Sequence, residues 1–238
     1  TGISAFYLYD KFISGQQADM ISETIVPFGS QAKVKLPDGT IVWLNSGSEL
    51  RYDNSFGKNE RKVSFSGEGY FEVTKNTNKP FMVHTNNVDI KVLGTVFNVN
   101  SYANETTVKV DLLEGKVDVS ALAENGTLEN KTLLPNEMLV YDKKLKKMSA
   151  GKSDAAKSAQ WKTGKLTFDN VSMEKLLRNL ERKYDVHFII ESKKIKSEMF
   201  TGSINLEQPL NEILEYIDVD KKFERIYDGR KVRICDKE

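Results

Sequence analysis

Between Ser22 and Met148 the apolar residues recur at every second position, and no window of eleven or more carries a helical stripe. A period of two places successive side chains on opposite faces of a strand, so this stretch can bury a core only as β-structure. Ala32, Val34 and Leu36 alternate with polar residues until Pro37-Asp38-Gly39 supplies a turn, and Ile41–Leu44 then runs into Asn45-Ser46-Gly47-Ser48. The later runs are Lys62–Phe65, Tyr70–Thr74, Phe81–Thr85, Val88–Leu93, Val96–Tyr102, Thr106–Leu113, Lys116–Ser120, Lys131–Leu134 and Met138–Asp142. Gly, Asn or Asp punctuate them about every eight to twelve residues, the spacing of a β-sandwich, a jelly roll or a short solenoid.

The period then changes. Residues 149–160 contain no large apolar side chain and read as a linker, partly helical where the alanines fall. Beyond Trp161, Leu166-Thr167-Phe168 reads as a short strand and Asp169–Ser172 supplies candidate helix caps. Met173, Leu176, Leu177, Leu180 and Tyr184 follow with helical spacing and predict one amphipathic helix. Val186, Phe188 and Ile190 alternate as a strand. The pattern repeats with a strand over Met199–Ile204 and a helix opened by Pro209, whose face is Leu210, Ile213, Leu214 and Ile217. Strands Lys222–Tyr227 and Lys231–Cys235 are predicted to meet through a two-residue turn at Asp228-Gly229. The expected organisation is a segment at 1–20, an all-β domain at 21–148, a linker at 149–160 and a small α+β domain at 161–238. The fold is mainly β.

Charge and residue chemistry narrow the function classes. With 35 Lys+Arg against 34 Asp+Glu, the net charge of +1 lacks the one-signed field that nucleic acid favours. The run Lys143-Lys144-Leu145-Lys146-Lys147 reads as a solvated turn. Cys235, the one cysteine, allows neither an internal disulfide nor a thiolate cluster, and its apolar surroundings predict a buried small hydrophobe. His84 and His187 fall in strand runs on different domains, with no spacing suited to a metal. Asp38, Glu68, Asp111 and Glu114 could be imagined as acid–base pairs, yet Asp38 and Glu114 each precede a turn glycine, where turn chemistry alone would put them. No catalytic constellation, phosphate loop or cofactor motif emerges, and no enzymatic activity, cofactor or metal is expected. Ile3–Tyr9 is apolar and aromatic before Asp10-Lys11, as in the last turn of a membrane helix at the interface; a short helix or strand packed on the body is the other reading.

Six segments resemble the FecR family of periplasmic sensors: Val26–Ser30, Leu36–Asn45, Arg61–Val73, Lys79–Val83, Val92–Val99 and Leu113–Val117. Residues 161–238, through Leu166-Thr167-Phe168 and Leu180–Tyr184, are similar to the small signalling module (secretin/TonB short N-terminal type) of outer-membrane transducers. The resemblance implies the periplasmic part of an anti-sigma regulator anchored by a single span to the inner membrane, with 1–20 as the juxtamembrane remnant. Its implied partner is the signalling domain of a TonB-dependent outer-membrane receptor. An extracytoplasmic-function sigma factor would be held only through a cytoplasmic segment outside this sequence. On that view Phe200, Ile204 and Val232 are expected at a strand edge that pairs with the receptor. Gly94-Thr95 is either a turn or bulge, or, as the resemblance allows, a self-cleavage site where the threonine hydroxyl attacks the preceding carbonyl. A periplasmic carbohydrate- or ligand-binding module without a signalling role, or a plain scaffold, are the competing expectations.

Overall fold

The computed structural model describes residues 21–218 and 220–237. The expectations for Ile3–Tyr9 and for 1–20 lie outside the described residues. The first part of the chain is the expected all-β domain, with thirteen strands. They are β1 (Ser22–Ile25), β2 (Ala32–Lys35), β3 (Ile41–Leu44), β4 (Glu49–Tyr52), β5 (Arg61–Glu72), β6 (Phe81–His84) and β7 (Val88–Val92). There follow β8 (Val96–Ser101), β9 (Thr107–Glu114), β10 (Val117–Leu122), β11 (Leu128–Leu133), β12 (Glu137–Asp142) and β13 (Lys147–Lys152).

The twelve-residue β5 is the spine. Its first half pairs antiparallel with β4 and parallel with β6. Its second half pairs antiparallel with β3 and β8. The switch falls at Gly67, which has φ +113°; a Cβ there would stand 2.5 Å from the Ser48 Cα, so only glycine fits. Two layers thus share one strand. One runs β1-β4-β5-β6-β7-β10-β11 and the other β2-β3-β5-β8-β9-β12-β13, closing into a nearly barrel-like sandwich. The alternating residues of both meet inside, where Phe71 stacks on Phe97 at 5.1 Å and meets the edge of Phe65 at 5.3 Å.

The Pro37-Asp38-Gly39-Thr40 turn has a second duty. Asp38 accepts from the Thr40 amide (3.0 Å) and hydroxyl (2.7 Å), and its Oδ2 receives Arg61 Nη1 at 2.8 Å. Arg61 is buried and also donates to the Thr74 and Lys79 carbonyls, so the turn neutralises an interior cation.

The chain leaves this domain differently from the sequence expectation. Ser149–Lys152 are not linker but the end of β13, because β12 offers a full antiparallel ladder from Asp142↔Lys147 to Glu137↔Lys152. Next come helix α1 (Ala155–Ser158) and a 3-10 turn at Gln160–Thr163. The second domain comprises β14 (Lys165–Ser172), α2 (Met173–Tyr184), β15 (His187–Ile190), α3 (Lys193–Ser197), β16 (Met199–Asn205), α4 (Leu210–Ile217), β17 (Phe223–Asp228) and β18 (Lys231–Asp236). Ser172 caps α2 by accepting the Lys175 amide, and Met173, Leu176, Leu177 and Leu180 form its buried face.

Two small sheets cover the helices. β14 pairs antiparallel with β16, and β18 lies between a parallel β15 and an antiparallel β17. Register corrects two sequence expectations. The β17–β18 turn is Gly229-Arg230, because Asp228 already pairs with Lys231. Cys235 is not a core residue: Val232 and Ile234 point inward, so Cys235 falls on the outer face and donates to Glu191 Oε2 at 3.2 Å. The two domains have separate apolar cores.

Candidate functional site

The segment that joins the two domains is tied down rather than free. Ser153 donates from its amide to the Asn136 carbonyl and from its hydroxyl to Asp111 Oδ1 at 2.7 Å. Ala155, Ala159 and Trp161 are buried, the last two against Tyr70 on the outer face of the sheet. The indole N–H of Trp161 donates to Asn98 Oδ1 (3.1 Å), and its carbonyl accepts from Gln31. Lys162 then reaches back over Tyr70, its Nζ 3.1 Å from the ring centroid, while Lys33 covers Trp43. Burial between these rings pushes the Lys162 ammonium below its ordinary value. Residues 153–163 therefore belong mechanically to the β domain, and the chain turns into the second domain at Gly164, with φ +73°.

Past that point the α+β domain touches the sheet through the last turns of α2. Arg182, 5% exposed, lays its guanidinium over Tyr102 at 4.0 Å and donates from Nη2 to Glu105 Oε1 at 3.1 Å. Glu105 is itself 7% exposed. Arg178 Nε lies 3.4 Å from the same oxygen without donating a hydrogen bond to it. The Arg182 carbonyl accepts the Gly29 amide at 2.8 Å. Tyr102 is fixed in turn: its hydroxyl donates to the Ser46 carbonyl, and its own carbonyl accepts Lys143 Nζ at 2.7 Å. Beside it Glu68 receives the amides of Asn45 (2.9 Å) and Asn98 (3.3 Å). Burial nonetheless drives the Glu68 carboxyl above the ordinary glutamate range. The junction is thus a polar network in which Trp161 and Arg182 are the two pegs.

The other carboxylates singled out in the sequence are taken up singly. Asp38 serves Arg61, Asp111 pairs with Lys109 at 2.9 Å and with Ser153, and Glu114 is exposed at the end of β9. His84 pairs with Asp89, and His187 with Glu181 at 3.0 Å. Among the described residues no three of His, Cys, Asp and Glu gather as a metal site would require. Thr95 is buried at the entry to β8, where its hydroxyl donates to the Lys116 carbonyl at 3.0 Å. Its neighbour Gly94 has no room for a side chain, since a Cβ would stand 2.5 Å from the Lys75 Cα. A register shift between Val96 and Phe97 marks a bulge there.

The expected partner surface is redrawn by topology. β18 is the central strand of its sheet and offers no edge, and Val232 is 1% exposed. Ile204, on β16, is buried against the same core. Only Phe200 of that trio is partly accessible, on a strand with one unpaired edge. The strand predicted over Lys222–Tyr227 is β17, and its place at the edge was not anticipated: its outer side is unpaired, and its Ile226 (46%) and Tyr227 (52%) are exposed. The hydrophobic alternation there signals a strand but not its place in the sheet.

The architecture is a two-layer β domain followed by a doubled α+β module. Two family models match in that order: "FecR protein" over residues 23–118 and "FecR, C-terminal" over residues 165–234. The chain belongs to the FecR family, whose members are anti-sigma regulators and not an enzyme class. It is similar to two crystal structures of a candidate anti-sigma factor from Parabacteroides distasonis, at 1.65 Å and 2.50 Å resolution. The first superposes with a TM-score of 0.82 at 28% identity, over 91% of this chain and 100% of that one. The second gives 0.83 at 28% identity, over 92% and 100%. No curated protein matches.

Proposed function

We propose that this chain is the periplasmic sensing region of an anti-sigma regulator. It receives a signal from the signalling domain of a TonB-dependent outer-membrane receptor and relays it, through an inner-membrane span and a cytoplasmic segment, to an extracytoplasmic-function sigma factor. The observation that carries this reading is the match of both domains, in order, to the two FecR models and to the anti-sigma structures. In this reading the small domain docks the receptor by strand pairing along the open edge of β17, with Ile226 and Tyr227 as side-chain anchors, or along β16 at Phe200. Gly94-Thr95 is read as a structural bulge.

Calorimetry with the isolated signalling domain of the receptor encoded beside this chain tests the proposal. One-to-one binding of micromolar strength or better is expected. It should be lost on Ile226→Asp with Tyr227→Arg if β17 is the edge used, or on Phe200→Arg if β16 is. Absence of binding to the intact chain would overturn the relay.

A further inference from the structure

We infer that the Arg182–Glu105 pair is a releasable latch, and that the α+β domain has a second, open position reached by turning about Gly164. No shared apolar core joins the domains. The buried aromatic of the connection, Trp161, is seated on the β domain before the turn at Gly164. The contacts that hold residues 165–238 against the sheet include the Arg182–Glu105 ion pair with Arg178 Nε 3.4 Å from the same oxygen, the Arg182 guanidinium on Tyr102, the Gly29 amide on the Arg182 carbonyl, and Thr167 Oγ1 on Gln160 Oε1 at 2.6 Å, all of them polar. A polar interface of this kind leaves relative domain motion as the default expectation.

The chemistry of the pair makes the motion all-or-none. A half-open state that buries either charge alone is costly, since one unpaired buried ion is worth several kcal/mol of destabilisation. Full opening carries both charges into water and recovers their hydration, so the closed and fully open arrangements are the two tolerated ones. An apolar seam of equal size would instead lose burial continuously as it opened. Glu105 and Tyr102 lie at the β8–β9 turn and Arg182 near the end of the helix that forms the floor of the α+β core, so each domain senses the latch through a packed element. Resting on the reading above, a receptor domain bound at the α+β domain shifts the equilibrium toward the open arrangement to the extent that it prefers it.

Two measurements test this. Amide exchange followed by NMR compares the wild type with the Glu105→Gln/Arg182→Met pair, which removes both charges of the latch at once, while Arg178 keeps Glu174 as its carboxylate at 3.4 Å. The Gly29 amide should exchange at least about tenfold faster in the pair, while core amides such as Val110 and Leu177 keep their rates. An unchanged Gly29 rate overturns the latch, and so does equal acceleration of the core amides, which would make the pair a plain stability element. The second measurement locks the latch. A Cβ at Gly29 stands 3.8 Å from the Asp185 Cβ, within disulfide reach, so Gly29→Cys/Asp185→Cys can be compared with itself oxidised and reduced. The oxidised form should bind the receptor signalling domain at least about fivefold more weakly than the reduced form. Equal binding removes the receptor as the trigger. Failure of both forms to bind, with wild type also silent, counts against the functional reading, while the exchange data decide the latch on their own.

Discussion

The two domains of this chain solve the same problem, burying an apolar core, with different resources. The β domain wraps two layers around one shared strand and packs a phenylalanine cluster between them, with Phe71 touching Phe65, Phe81 and Phe97. It even encloses a cation, Arg61, because Asp38 and two carbonyls are positioned to satisfy most of it. The α+β domain has no central strand of comparable length, and its two sheets are held together through the faces of α2 and α4. It therefore leaves open strand edges and exposed side chains such as Tyr216 and Tyr227. The β domain has open edges too, at β1, β2, β11 and β13, so what separates the two is the shared spine: one long strand ties both layers of the β domain together, and the α+β domain has only helices between its sheets.

That contrast breaks first on the cores. Phe71→Ala should cost the β domain about 3–5 kcal/mol and Leu180→Ala the α+β domain about 2–5 kcal/mol, from lost burial and the cavity left behind. Both tryptophans, Trp43 and Trp161, sit on the β side, whereas α2 and α4 belong to the other domain. Denaturant titration followed by tryptophan emission and by helical circular dichroism thus separates the two. Each substitution should move its own signal. If both signals moved together under either one, the separate-core picture would fail.

Next in size is the peg. Trp161→Phe keeps most of the ring packing and removes the N–H that satisfies Asn98, leaving a buried acceptor unpaired at a cost of about 1–3 kcal/mol. The loss should appear in the tryptophan-independent midpoint of the β domain, read by amide exchange at Val110. An unaffected midpoint would mean that the connection is not braced by this bond.

How much of this was readable beforehand follows from how far apart the interacting residues lie. Period-two alternation exposed most β-domain strands because each buries one face locally. It missed β13, where Ser149, Ala150 and Gly151 have no pattern of their own and are strand only because β12 pairs with them. Gly67 reads as a turn or bulge in sequence, since nothing near it announces that β5 changes partners there. In the α+β domain the repeat was plain, but the edge was not: β18 is closed off by β15, whose pairing residues stand 44 positions earlier at His187↔Lys231. Arg182 looks like any exposed arginine of a helix ending in Glu-Arg-Lys-Tyr, and its partner Glu105 is 77 residues away.

A smaller effect tests Gly94-Thr95. Removing the hydroxyl in Thr95→Ala takes away the donor to Lys116 and should cost about 0.5–1.5 kcal/mol. Denaturing mass spectrometry of the wild type should show the intact chain alone. Fragments ending at Gly94, abolished by the substitution, would turn the bulge into a cleavage site and make the β domain chemically active, a difference between the domains larger than any in their packing.

The smallest effect is one of pH, and it bears on the β domain alone. Glu68 has a carboxyl raised above 4.5 in the folded state, chiefly by burial, so folding favours its protonated form. The folded state then binds more protons than the unfolded one between 4.5 and the raised value, and stability must climb as pH falls through that window. Partly exposed Glu137 works the other way: the Leu134 amide and Lys152 lower its carboxyl, so its contribution is present above 4.5 and is lost only as pH falls through its lowered folded value. The two windows lie on opposite sides of 4.5. The β-domain midpoint, followed by tryptophan emission, should therefore rise on mild acidification and then fall. In Glu68→Gln the rise should be smaller and the later fall should persist. If wild type and variant trace the same curve above 4.5, Glu68 is solvated well enough to ionise freely, and the polar network beside Arg182 is wetter, and so easier to open, than its hydrogen bonds imply.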